Sequence, residues 1–356
     1  MNAISRLSKK PVTVSHILFF LTIFLLFFFN RSGNGYIEVA SISLSNIFMI
    51  LYLLLNPLSK NIFKGSLGLF FLYLCLNFII KLFSGLDEIV YEIQSIVAFL
   101  FATSILGDNK KRFLTYLYYF YLFNVLIVLL LNSPPYLFID NGFINGQRTN
   151  MTHTLCLLAC LLLSNNYISR KYTNYFILLN LGIMIILGGR AGTLLFIFYS
   201  LFLVRRNISE IIALSALVLL LFLVFNDFIL NTVYPHFNTV LSGGGSAPVR
   251  LRFLELFQNS ALLGGFERSE LSDIVGAWLN IWIGVKVQLD NSFVTIALFY
   301  GFIPLILLCL SLLNSLKNRN YLVLILAGVL FADDLITSLW GIVIVTLIIS
   351  HENKDL

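Results

Sequence analysis

Charge is what this sequence has least of. Asp, Glu, Lys and Arg make up 11% of its 356 residues and hydrophobic residues 59%, where an average soluble domain carries roughly a quarter charged residues. That balance excludes a soluble globule. Cysteine is scarce as well, and Cys75, Cys156, Cys160 and Cys309 all lie inside apolar segments. A disulfide framework and a zinc site are therefore not expected, and the one-turn spacing of Cys156 and Cys160 fits small residues packing between helices. Also missing are a Walker motif, a dinucleotide fingerprint, an HExxH pair and a nucleophile elbow. ATP-driven work and protease chemistry have no support, and neither cofactor nor metal is expected. Finally, no small-residue cleavage site follows the first apolar run, which ends Phe27-Phe28-Phe29-Asn30-Arg31. The basic start MNAISRLSKK is expected to lead into a retained span rather than a signal peptide.

What is present is a series of long apolar runs between Val14 and Ile349, each near the roughly 20 residues a helix needs to cross about 30 Å of hydrocarbon. About twelve spans are expected, near 14–29, 38–55, 66–82, 89–106, 113–131, 152–166, 175–189, 191–204, 209–226, 291–314, 320–332 and 336–350. The implied fold is an all-α, polytopic transmembrane helical bundle. Residues 1–226 would hold the first nine spans, 227–290 one large outer loop containing short helices, and 291–356 the last three spans and a short tail. Asp333-Asp334 interrupts the final pair, so a re-entrant pair is an alternative there. Two adjacent carboxylates in a helix diverge by about 100°, which disfavours a metal site.

The net charge of +6 would, in a soluble protein, raise the question of nucleic acid; here its distribution matters more. With the N-terminus inside and spans alternating, fifteen of the 23 Lys and Arg fall on the cytoplasmic side, and eight, Lys81, Arg148 and Arg190 among them, on the other. Every short loop assigned to the cytoplasm carries at least two. The bias supports cytoplasmic N- and C-termini and sets the segments from Asn132 to Met151 and from Asp227 to Asp290 outside. So large an investment on one face points to chemistry there.

Arg190 stands in LGGRAG, between two short apolar runs that form a hairpin. Fifteen residues separate it from the cytoplasmic Arg205, or roughly 22 Å of helix, so it sits at or below the outer edge of the hydrocarbon. It faces a wet cavity or partner, or it snorkels to headgroups. In the large loop, Ser246-Ala247-Pro248 reads as a helix start, with the helix continuing to about Leu262 and ending at Gly264-Gly265. Arg250 and Arg252 lie about 200° apart around it: one is placed to bind a ligand while the other pairs with Glu255, or both are solvated on the membrane surface. Arg148 precedes the sixth span, either as a ligand-binding or an interfacial residue. Candidate bases are Glu255, Glu267, Glu270, Asp273, His236 and Asp290. The last directly precedes Asn291-Ser292, where it either caps a helix or acts as a base on the outer face.

The order of these features resembles the O-antigen polymerase and ligase superfamily. The stretches that carry the resemblance are GQRTNMTHTLCLLA, ILGGRAGTLLFIF, RLRFLELFQNSALLGGFE and LDNSFVTIALFYGFIPLILL, covering roughly the second half of the chain. The ligases place a histidine where Asp290 stands, which favours the polymerase branch. The spacing from Arg252 to Gly264 has eleven intervening residues, one more than the arginine-to-glycine pattern that describes some polymerases. The resemblance implies a bacterial inner-membrane glycosyltransferase that moves a growing glycan from undecaprenyl pyrophosphate to the next lipid-linked repeat on the periplasmic face. Arg148, Arg190, Arg250 and Arg252 would bind pyrophosphate or glycan, Arg190 would stabilise the departing charge, and Asp290 would serve as base. It also implies membrane lipid, a chain-length regulator and a flippase as partners, and no nucleic acid. A ligase is the nearest rival. A flippase or other transporter would be expected to carry internal repeats and broken helices, and no internal repeat is visible.

Overall fold

The computed structural model describes residues 14–28, 35–56, 58, 63–84, 86–105, 110–131, 145–187, 190–204, 261–265, 291–332, 335–336 and 338–351. Among these there are twelve α-helices, one 3₁₀ turn and no strand. In chain order they are α1 (Val14–Phe28), α2 (Gly35–Leu55), α3 (Gly65–Ser84), α4 (Leu86–Ile105), α5 (Lys110–Leu131), α6 (Asn145–Ser164), α7 (Thr173–Leu187), α8 (Arg190–Val204), α9 (Ser292–Phe299), α10 (Phe302–Lys317), α11 (Leu322–Ala332) and α12 (Leu339–Ile349). The turn Arg170–Tyr172 joins α6 to α7.

Among the described residues most expected spans coincide with one helix, and one departs. The expected ninth span, 209–226, lies outside the described residues, as does most of the large loop. Within that loop Ala261–Gly265 is described and non-helical, so no helix runs on to Leu262. The expected span 291–314 is two helices, α9 and α10, separated at Tyr300-Gly301. Gly301 has φ +96°, a backbone conformation that glycine enters without the penalty a Cβ imposes, and Pro304 in the first turn of α10 needs no helical acceptor. Hydropathy continued across the break because every side chain there except the glycine's is apolar or aromatic.

Among the described residues one helical stretch, Gly65–Phe83, is by length and composition apolar enough to cross a membrane; nine further apolar helical stretches, some of them parts of longer helices, have 10–17 residues. The helices assemble around α12, whose eleven residues are all buried. On one side α1–α4 pack together with α10, and on the other α5–α8 pack with α11, while α12 touches α3, α4, α6, α10 and α11. Aromatic side chains join the first group to α5: the ring of Phe19 lies 4.5 Å from that of Phe113 and 6.2 Å from that of Phe101.

Polarity runs inward. Large apolar side chains such as Leu54, Phe83, Phe123, Leu194, Phe198 and Phe331 are exposed, whereas Asn46, Asn77, Asn124, Asn180, Ser311 and Asn320 are buried. Several buried hydroxyls bond within their own helix, as Thr22 does to the Leu18 carbonyl (2.8 Å) and Thr346 to that of Ile342 (2.7 Å), a habit that lets Ser and Thr sit in apolar surroundings. Others tie helices together, as Tyr118 does by donating to Asn180 Oδ1 at 2.9 Å.

Candidate functional site

Two places gather groups with chemistry. The first is the crossing of α6 and α8. The first turn of α6 begins at Asn145, seven residues earlier than the apolar run suggested, because the polar stretch Asn145–Asn150 continues the helix instead of leading up to it. Arg148 therefore belongs to the helix and not to a loop before it. Gly192, two residues into α8, packs so closely on α6 that an added Cβ would lie 2.9 Å from Thr152 Cγ2 and 3.0 Å from His153 Cδ2. Thr152 and His153 are fully buried. Gly192 sets the third residue of α8 against the eighth and ninth of α6, so the backbone positions of Arg190, the first residue of α8, and of Arg148, one turn before the contact, lie on neighbouring stretches of two packed helices. Their side chains lie outside the described residues, as do Arg250, Arg252, Asp290 and the other candidate bases.

The cap of α9 is nevertheless visible, and Asn291 fills it: its Oδ1 accepts from the Phe293 and Val294 amides at 3.0 and 3.1 Å. Capping is therefore not the work of Asp290. Beside the cap, Ser292 Oγ accepts from the Leu335 and Ile336 amides at 3.0 and 3.5 Å, and Tyr91 of α4 donates to the Ile336 carbonyl at 3.1 Å. The start of α9 is tied in this way to the chain that follows α11, and α11 packs on α6 and α8. Asp333 and Asp334 lie outside the described residues. Among the described residues no group of three or more His, Cys, Asp and Glu comes together.

The second place is the break between α9 and α10. Its backbone is satisfied by the loop segment: the Phe302 and Ile303 amides donate to the Ala261 and Leu262 carbonyls, and the Gly264 amide donates to the Tyr300 carbonyl, each at 3.0 Å. These are groups that two helix ends would otherwise leave unpaired. Gly265 reaches the wall so closely that a Cβ there would overlap the Leu298 carbonyl.

Tyr300 also faces inward. Its hydroxyl donates to Glu92 Oε1 of α4 at 2.6 Å, the short length expected when the acceptor is a carboxylate. Lys81 Nζ of α3 lies 5.4 Å from the Tyr300 ring centroid and 5.8 Å from that of Phe299, within the range where a ring quadrupole attracts a cation. Lys81 and Glu92 are 3% and 2% exposed. Lys81, counted above with the outer-face charges, is a buried helical residue. Neither it nor Glu92 was among the candidate residues, although a signal existed: Glu92 interrupts the apolar run Ile89–Ile105, and an ionisable residue inside such a run is a functional candidate by default.

No family model, curated protein or solved structure matches this chain.

Proposed function

We propose that this chain is a polytopic membrane enzyme that polymerises lipid-linked oligosaccharide repeats, the glycan passing from a polyprenyl pyrophosphate to the free end of the next repeat. The membrane part is supported by the inverted polarity of the fold. An apolar perimeter of this extent on a helical bundle marks a surface made for hydrocarbon or for another apolar partner, and buried Asn, Ser and Thr are the groups that hold helices together in lipid.

The observation that carries the enzymatic part is the packing of Gly192 on Thr152 and His153, which sets side by side the N-terminal halves of α6 and α8, the stretches bearing Arg148 and Arg190. Helix starts present amide donors and a positive dipole end, and arginine adds a planar fork suited to phosphate oxygens. In the reaction the acceptor hydroxyl oxygen attacks the anomeric carbon of the donor glycan, the bond from that carbon to the pyrophosphate oxygen breaks, and the hydroxyl proton passes to a base. Asp290 is the proposed base, Arg190 stabilises the charge of the departing pyrophosphate, and Arg148, Arg250 and Arg252 hold pyrophosphate or glycan. The linkage is already activated, so neither ATP nor a nucleotide sugar is required. Lipid-linked glycans are the proposed substrates, a chain-length regulator and a flippase the proposed partners, and the bacterial inner membrane the proposed location.

A transporter of lipid-linked repeats is the second reading, favoured by the broken α9–α10 helix and the buried charges beside it. One gel separates the two. Cells lacking the chain should make lipid A core capped by a single repeat, because a polymerase is needed only beyond the first unit. A transporter or a ligase predicts core with none, and unchanged long chains would remove all three readings.

A further inference from the structure

We infer that Lys81, Glu92 and Tyr300 are positioning residues that hold the α9–α10 break and, through it, seat Ala261–Gly265 of the large loop against the bundle. Tyr300 is the joint, because one residue carries both attachments. Its side chain is anchored to Glu92 and overlain by Lys81, while its carbonyl receives the Gly264 amide. The phenol donates to a buried carboxylate and carries a buried cation over its ring, so both charges act on the same residue.

The depth of the joint explains why charges are used. α9 has eight residues, so the break lies about 12 Å along the helix from its cap at a rise of about 1.5 Å per residue. Polar backbone at that depth is tolerated only where protein supplies its partners. The loop segment supplies three hydrogen bonds, and these form only if the Tyr300 carbonyl and the two amides after Gly301 are presented in one fixed orientation. Tyr300 is the residue that sets that orientation, and Glu92 and Lys81 fix its ring.

Seating of the segment holds whatever reaction the chain performs, whereas an effect on glycan length rests on the polymerase reading; the two are therefore measured separately. Hydrogen exchange of the purified full-length protein reports the seating at the Gly264, Phe302 and Ile303 amides, with the amides of α12 as an internal control for global opening. Tyr300→Phe deletes one oxygen and keeps the ring, and should speed exchange at those three amides on the order of tenfold while leaving α12 protected. Lys81→Arg, which keeps a cation that stacks on aromatic faces, should exchange like the parent. Lys81→Met should not. In cells, Tyr300→Phe present at parental abundance should shorten the glycan ladder. Unchanged exchange in both Tyr300→Phe and Glu92→Gln overturns the seating. Faster exchange with a ladder of parental length overturns the positioning role, while the ladder of cells lacking the chain separately decides the polymerase reading.

Discussion

Helix α3 packs lengthwise on α10, and its two ends are held by different chemistry. At the Ser66 end α10 is continuous and the bonds are neutral: Ser311 donates to the Ser66 carbonyl at 2.7 Å and Asn314 Nδ2 to Ser66 Oγ at 3.1 Å. Close by, Ser315 donates to the Ile349 carbonyl and Asn320 to that of Ile348, at 3.2 and 2.6 Å. At the Lys81 end the partner helix is broken, a loop segment fills the gap, and the bonding involves a cation, a carboxylate and a phenol. The difference follows from what each group demands. A hydroxyl or amide is satisfied by one or two carbonyls that an intact helix already exposes, whereas a buried charge needs several dipoles and a counter-charge. The neutral end holds helices together; the charged end holds an irregular backbone that helices alone cannot stabilise.

If that contrast is right, the charged end should be the more sensitive to substitution. The largest effect is expected from Gly265→Ala, whose methyl group would meet the Leu298 carbonyl, part of a helix backbone that cannot yield. The segment must then leave the break and open up to three backbone hydrogen bonds, a loss on the order of 3 kcal/mol or more. Protein abundance and exchange at Phe302 and Ile303 would show it, and parental exchange in this variant would break the comparison.

An intermediate effect is expected at the cap of α9. Asn291→Ala removes an acceptor of two amides and should cost about 1 kcal/mol, read as a lower midpoint of thermal unfolding in detergent. Asp290→Asn should leave that midpoint unchanged, since Asn291 holds the cap, and should instead lower polymer formation by about 10²-fold if Asp290 is the base. Equal ladders from equal amounts of protein would remove Asp290 from the proposed chemistry.

The smallest effect is expected at the neutral end. Ser311→Ala deletes one interhelical hydrogen bond and should cost only about 0.6 kcal/mol, the average measured for such bonds between helices in lipid. A loss as large as that of Gly265→Ala would mean that the two ends of α3 do not differ in kind.

Among the described residues helix type was legible from hydropathy because most apolar runs are helical over nearly their whole length: α1, α2, α3, α5 and α8 lie within a few residues of the expected spans. Two boundaries were not legible. The start of α6 is polar, so hydropathy could not see that Asn145–Asn150 is helical. The α9–α10 break is apolar on both sides, so hydropathy could not see that the helix stops. At the candidate site the arginines are legible as charges beside apolar runs, whereas Lys81 reads only as one of the outer-face charges and nothing local pairs Glu92 with Tyr300.

What the sequence by itself determined is the all-helical class of the described residues, through apolar runs too long and too nearly continuous for any other regular structure. Only the tertiary structure decided which distant residues share a site. Glu92 and Tyr300 are 208 positions apart and Tyr91 and Ile336 are 245 apart, and no local pattern encodes such a pairing. A side-chain hydrogen bond or a ring–cation contact depends on where packed helices place their faces, and that placement is set by the whole bundle, here by the fit of α3, α4 and α10 around the buried α12.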